Sequence, residues 1–121
     1  MAEKYKIGTR VVWKDRPGRV RIMEKTKYGF EEARRVQYSK KYRDKDLDGY
    51  RILQLDMNPY NFRKDNLVKV SILEMNLLLN NNLLSKTSDY SFNKKHNKLA
   101  LIVIRNDLLQ KEIKNRIEQE N

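Results

Sequence analysis

An α+β fold is predicted by three features of the sequence. Its start alternates apolar and charged residues around a Pro-Gly pair, its middle runs strand, loop, strand, helix, and its end is an apolar run followed by apolar residues four apart. The expected architecture is an N-terminal β-hairpin, a central ββα unit, and a C-terminal strand and amphipathic helix. The corresponding segments are 1–48 (basic and β-rich), 49–86 and 87–121, joined in one compact domain.

The hairpin comes first. Residues 9–13 (TRVVW) suit a strand by their β-branched and aromatic content, residues 14–18 (KDRPG) suit a turn, and residues 19–24 (RVRIME) alternate strictly. Val20 and Ile22 are expected to face a core, with Arg19, Arg21 and Arg10 on the opposite face. A basic two-stranded ribbon fits the DNA major groove. Equally, Val11, Trp13, Val20 and Ile22 could form the wall of a small barrel. Residues 25–48 are the most charged part, with 31–37 a short helix or a strand and 39–49 a mobile loop bearing Lys40, Lys41, Arg43 and Lys45. Tyr28, Tyr38 and Tyr42 interleave these cations, as phosphate contact combined with base stacking requires. Asp44, Asp46 and Asp48 lack the Glu of a calcium-binding loop.

Residues 50–55 form the first strand of the central unit. The next eleven, DMNPYNFRKDN, are dense in residues that bond their own backbone, so an ordered loop is expected. A second short strand, 67–70, leads to Ser71, with Glu74 three residues later in the spacing of a capping box. In the helix that follows, Ile72, Met75 (or Asn76) and Leu79 fall on one face, and the helix is expected to end within Asn80, Asn81 and Asn82.

This order, with these residues, resembles the HNH (ββα-metal) nuclease motif of phage homing endonucleases over about 30 of the 121 residues. Asp56, Asn58, Asn61, Arg63, Asn66, Leu67 and the Ser71 cap fall on scaffold positions of that motif, with Asn66 on its central Asn. The positions that carry chemistry depart from it. The resemblance puts a general-base His where this chain has Gln54, and an amide has no usable proton affinity at neutral pH. It puts a metal-binding Asp or Asn where this chain has Leu53, and a hard cation needs oxygen ligands. The motif's Gly is Met57. The single His, His96, lies in a distant polar run. Asp56 and Asn76 are the metal candidates left, and Mg²⁺ or Mn²⁺ is expected as a cofactor only if cleavage survives. The resemblance therefore implies a nuclease scaffold stripped of its nuclease activity.

The C-terminal segment reads as a polar connector (83–97) with a turn at 94–97, a buried strand at 99–104, and a helix capped by Asn106 or Asp107. Leu109, Ile113 and Ile117 make a narrow stripe on that helix, suited to a surface or to a second copy of the chain. Residues 91–98 and the strand after them loosely resemble the three-stranded DNA-binding appendage of phage HNH proteins, which would place Lys94, Lys95 and Lys98 on nucleic acid.

Composition sets outer limits. Cysteine is absent, which excludes a disulfide framework and thiolate metal sites and fits a reducing cytoplasm. The longest apolar run, six residues, is far short of a membrane span, and the N-terminus lacks the apolar core of a signal peptide. Net charge is +11, and residues 1–50 carry 15 Lys/Arg against 8 Asp/Glu. Such an excess attracts polyanions.

Three readings follow. The first is a nucleic-acid-binding protein, DNA ahead of RNA, that uses Arg19, Arg21, Lys40, Lys41, Arg43, Arg63, Lys64, Lys94 and Lys95 and does not cut. The second is a phage-encoded, anti-CRISPR-like inhibitor that binds a host defence nuclease or its guide RNA. The third is a nicking enzyme with rearranged ligands from Asp56, Asn58, Glu74 and Asn76. A homodimer through the C-terminal helix is compatible with each.

Overall fold

The computed structural model describes residues 5–17 and 19–120, without the side chain of Asp15. The first four residues and Gly18 of the expected Pro-Gly turn lie outside the described residues. Strands β1 (Arg10–Arg16), β2 (Arg19–Thr26) and β3 (Gly29–Glu32) form one antiparallel sheet in the order β1-β2-β3. The expected hairpin is its first half. The third strand returns through a tight turn in which Gly29 holds φ at +119°, a conformation that L side chains rarely adopt. The sheet is open, so the barrel alternative does not hold. Arg10 pairs across the ladder with Glu24 and bonds to it, which puts Arg10 on the Val20–Ile22–Glu24 side and not beside Arg19 and Arg21.

Helix α1 (Ala33–Tyr42) continues directly from β3. The mobile loop expected over 39–49 is therefore corrected: Lys40 and Lys41 occupy the last helical turn, and Arg43 caps it in the left-handed conformation. The segment after it is anchored by buried Leu47 and by an ion pair between Lys69 and Asp44 at 3.1 Å. Arg35 of α1 donates to the carbonyls of Leu47 (2.9 Å) and Tyr50 (2.8 Å), tying the helix to the next strand.

Strands β4 (Tyr50–Gln54) and β5 (Leu67–Ser71) pair antiparallel, and helix α2 (Ile72–Asn80) follows β5 without a break. The ββα order matches the expectation. Both halves of the capping box form: Glu74 N–H donates to Ser71 Oγ at 3.0 Å, and Ser71 N–H donates to Glu74 Oε1 at 2.8 Å. The buried face of α2 differs from the expected one. Leu78 is fully buried, with Met75 and Leu77 partly so, while Ile72 and Leu79 are exposed. The last helix lies along the 74–78 side, so the packed face is rotated by about 100°.

The two-stranded sheet is covered on both faces. Tyr38, Leu47, Ile52 and Leu67 form a small cluster on the α1 side. The larger core joins Leu53, Leu55, Val70 and Leu78 to Ala100, Leu101 and Ile104 of the final helix. Residues 83–89 form the first part of the expected connector, and helix α3 (Tyr90–Glu120), 31 residues long, replaces the rest of it together with the turn, the strand and the short helix expected beyond. An apolar run of six suits a buried strand or a buried helix equally, and here helical spacing aims Ala100, Leu101 and Ile104 at the core. Asp89 starts α3 by accepting from the amide of Phe92 at 3.1 Å, as an N-cap does. Asn106 and Asp107 thus lie within the helix, and the sheet-like appendage over 91–98 is absent.

Asn93 and Asn97, one turn apart on α3, are both fully buried. Asn97 donates to the carbonyl of Leu55 at 2.7 Å and accepts from the amide of Ser85 at 2.8 Å. Asn93 donates to the carbonyl of Thr87 at 2.7 Å and accepts from Ser85, and from the amide and hydroxyl of Thr87. These amides tie Ser85 and Thr87 of the connector to the start of α3 and satisfy their own buried polar groups in doing so. Among the described residues, no helix is long and apolar enough to cross a membrane.

Candidate nucleic-acid interface

The loop between β4 and β5 is organised by two buried polar side chains. Asn66, fully buried, accepts from the amide of Asp56 at 3.0 Å and donates both to Asp56 Oδ1 and to the carbonyl of Asn61, each at 3.0 Å. The buried Asp56 carboxylate also accepts from the amide of Asn58 at 2.9 Å and from Asn61 Nδ2 at 2.7 Å. Asn58 and Asn61 in turn accept from the amides of Tyr60 and Arg63, each closing a local turn. Asp56, a metal candidate in the sequence, thus has its carboxylate engaged by loop amides, while Asn76 is exposed on α2. Among the described residues, no group of three or more His, Cys, Asp or Glu is placed to hold a metal ion.

Gln54 ends β4 at the mouth of this loop. Its side-chain amide donates to the carbonyls of Pro59 (3.2 Å) and Asn61 (3.0 Å), and the residue is buried. It is therefore held as a brace for the loop. Together with Leu53, Met57 and Pro59 it floors a cleft of about 690 Å³. Arg16, Arg19 and Arg21 of the N-terminal sheet and Arg34 of α1 contribute a cationic wall, and Lys86, Thr87 and Tyr90 also line the cleft. Among the described residues, five cations thus border the cleft against a single acid, Glu32.

Glu32 organises the cations beside it. Its carboxylate accepts from Arg21 at 2.7 Å and from Arg34 at 3.2 Å. Burial works to raise its pKa, but the adjoining Arg34 and Arg21 outweigh that and hold it below the ordinary value near 4.5. One charge fixes two guanidinium groups and leaves a net positive wall. The Phe62 ring lies at the cleft, with the Arg10 guanidinium 4.5 Å above its centroid.

A second basic region adjoins the first through Phe62. The Lys41 ammonium donates to the Phe62 carbonyl, Tyr42 donates to the Lys64 carbonyl at 2.7 Å, and the Lys64 ammonium sits 5.0 Å from the Tyr42 ring centroid. The end of α1 and the single 3-10 turn Lys64–Asn66 therefore hold Lys41 and Lys64 together, with Arg43 and Arg63 exposed beside them in the chain. Lys40 leans back toward the buried Glu24, 3.6 Å away.

Of the cations picked out in the sequence, Arg19 and Arg21 line the cleft, and Lys41, Arg43, Arg63 and Lys64 belong to the adjoining region. Lys94 pairs with Asp65 at 2.6 Å, which pulls that carboxyl below its ordinary range. Lys95 is exposed on α3, beside Lys94 in the chain. Tyr38 is corrected as a stacking candidate: it is buried and stacked on Tyr42, centroids 4.4 Å apart. Sequence reasoning missed Arg16, Arg34, Lys86, Phe62 and Tyr90. They converge from five places in the chain, and no local pattern marks them. No protein-family model, curated protein or solved structure matches the chain.

Proposed function

We propose that the chain binds nucleic acid, DNA ahead of RNA, in the basic cleft above a degenerate HNH-type loop, and that it does so without cutting. The observation that carries this reading is the cleft itself, whose walls are cationic and whose floor is chemically inert. Arginines held by Glu32 present fixed N–H groups to phosphate. Phe62 and Tyr90 add ring faces on which an unpaired base stacks. Phosphate neutralisation supplies most of the affinity and makes it salt-dependent. The region around Lys41, Arg63 and Lys64 extends the path of the backbone.

The floor explains why binding is uncoupled from hydrolysis. Gln54 stands where the resembling family keeps its imidazole, and both of its N–H groups point at loop carbonyls. It neither accepts a proton nor orients a water as a base would. Leu53, alongside it, offers no oxygen to a cation.

Fluorescence anisotropy with labelled duplex DNA, single-stranded DNA and RNA, over a salt series, tests the reading. The expected affinity falls linearly on a log–log plot, with a slope of roughly −0.9 per phosphate neutralised in duplex or −0.7 in single strands. Arg19→Glu with Arg21→Glu is expected to weaken binding about 100-fold. The same charge change far from the cleft, Lys111→Glu with Lys114→Glu, is expected to cost only a few-fold through the long-range field. Equal losses from the two pairs would reject the cleft as the binding site. Absence of binding to all three probes would shift the basic face to an acidic protein surface.

A further inference from the structure

Helix α3 has two apolar faces. Ala100, Leu101 and Ile104 pack into the core, and on roughly the opposite side Leu99 and Ile102 are more than half exposed. A helix apolar on both sides needs a neighbour on both. The outward face continues along the helix through Leu109, Ile113 and Ile117, all exposed. From Asn106 to Glu120 every residue except Leu108 is exposed, so these 15 residues, about 22 Å of helix, run largely clear of the rest of the chain. A solitary helix of that length is marginal in water.

The spacing of the outward face is that of a coiled-coil seam. Leu99, Ile102, Asn106, Leu109 and Ile113 alternate steps of three and four, with one polar residue in the middle. Charge selects the occupant. Between positions 90 and 105 α3 carries Lys94, Lys95, Lys98 and Arg105 and no acid, whereas between 106 and 120 four acids outnumber three bases. The helix is complementary to itself when reversed, and like lies on like when it is parallel.

We infer that α3 is a self-association element: two copies pair antiparallel along this seam, with Ile102 of each opposite Ile113 of the other. The basic first half of each helix then lies against the acidic second half of its partner, and Arg105 comes beside Glu112 of the second copy. The two bodies sit at opposite ends of the pair and on its outer sides, because the packed and outward faces of α3 oppose each other. With little more than two heptads of seam, the dissociation constant should be on the order of 10–100 µM.

The chain has no cysteine, which makes the arrangement directly testable. Ile102→Cys and Ile113→Cys are prepared separately, mixed free of nucleic acid near 100 µM and oxidised, and the disulfides are mapped by peptide mass. The expected product is dominated by the 102–113 cross-link, alongside a concentration-dependent dimer in sedimentation of the unaltered protein. Ile113→Asp is expected to abolish the dimer while leaving the denaturation midpoint of the dilute monomer unchanged, since Ile113 is exposed beyond the core. Cross-links of 102 to 102 and 113 to 113 would overturn the antiparallel pairing. A monomer at every concentration up to several hundred micromolar would overturn self-association itself.

Discussion

The wall and the floor of the cleft are built on opposite principles. The wall is charged and open: Arg16, Arg19, Arg21 and Arg34 come from three elements, and among the described residues Glu32 is the one acid that lines the cleft. The floor of Leu53, Gln54, Met57 and Pro59 carries no charge, and beneath it Gln54, Asn61, Asn66 and Asp56 spend their hydrogen-bonding capacity on one another and on the loop backbone. Among the described residues, no buried side-chain nitrogen or oxygen lacks a partner. The difference teaches that the polar groups of the loop maintain shape, while the cations of the cleft lie on the wall. Stability and binding should therefore separate under mutation.

The largest expected effect is on the floor. Asn66→Ala leaves the Asp56 amide and carboxylate and the Asn61 carbonyl short of partners in a buried setting, at a cost of roughly 2–4 kcal/mol in urea denaturation. A loss below about 1 kcal/mol would mean that water replaces the amide and that the loop does not depend on it. Gln54→Leu comes next, at roughly 1–2 kcal/mol, because the carbonyls of Pro59 and Asn61 lose a donor. Nucleic-acid affinity should stay within about twofold in that variant if the wall alone binds. A large affinity loss at preserved stability would place Gln54 on the ligand and break the distinction.

Smaller effects sharpen it. Ser71→Ala removes one half of the capping box and should cost about 1 kcal/mol, with no change in binding. The mildest probe is pH. Glu32 and Glu74 both titrate below their ordinary value near 4.5; for Glu74 burial works upward, and the Ser71 amide and Arg105 overcome it. A carboxyl with a depressed folded pKa contributes stability that is fully present above its unfolded value and is lost as pH falls through the folded one. Urea midpoints should thus be level from pH 7 to about 5.5 and decline below 4.5. In Glu32→Gln the decline should be shallower.

The ββα unit was legible in the sequence because its determinants are local. Asp56, Asn58 and Asn61 bond amides two residues ahead, and the Ser71–Glu74 box spans one turn. Helix α3 was not legible. Its run LALIVI fits a strand as well as a helix, and Asn93 and Asn97, which look like turn formers, serve as buried braces for a connector eight to twelve residues away. The phase of α2 was missed for the same reason, since the face that packs is chosen by where α3 lies and not by α2 itself. Of the cleft, Arg19 and Arg21 could be picked out from strand alternation, but Arg34 and Lys86 reach it only through tertiary packing. Glu24 illustrates the limit: an acid in a basic strand, it is buried and ties Arg10, Gln37 and Lys40 into the sheet–helix junction.

The most direct test of a cationic wall above an inert floor is a native gel of supercoiled plasmid with rising protein, Mn²⁺ present, at low and moderate salt. The account predicts retardation that weakens steeply as salt is raised, with the plasmid remaining supercoiled throughout. Nicked plasmid that disappears in Asp56→Ala would contradict it, and would mean that the loop still assembles a catalytic metal site.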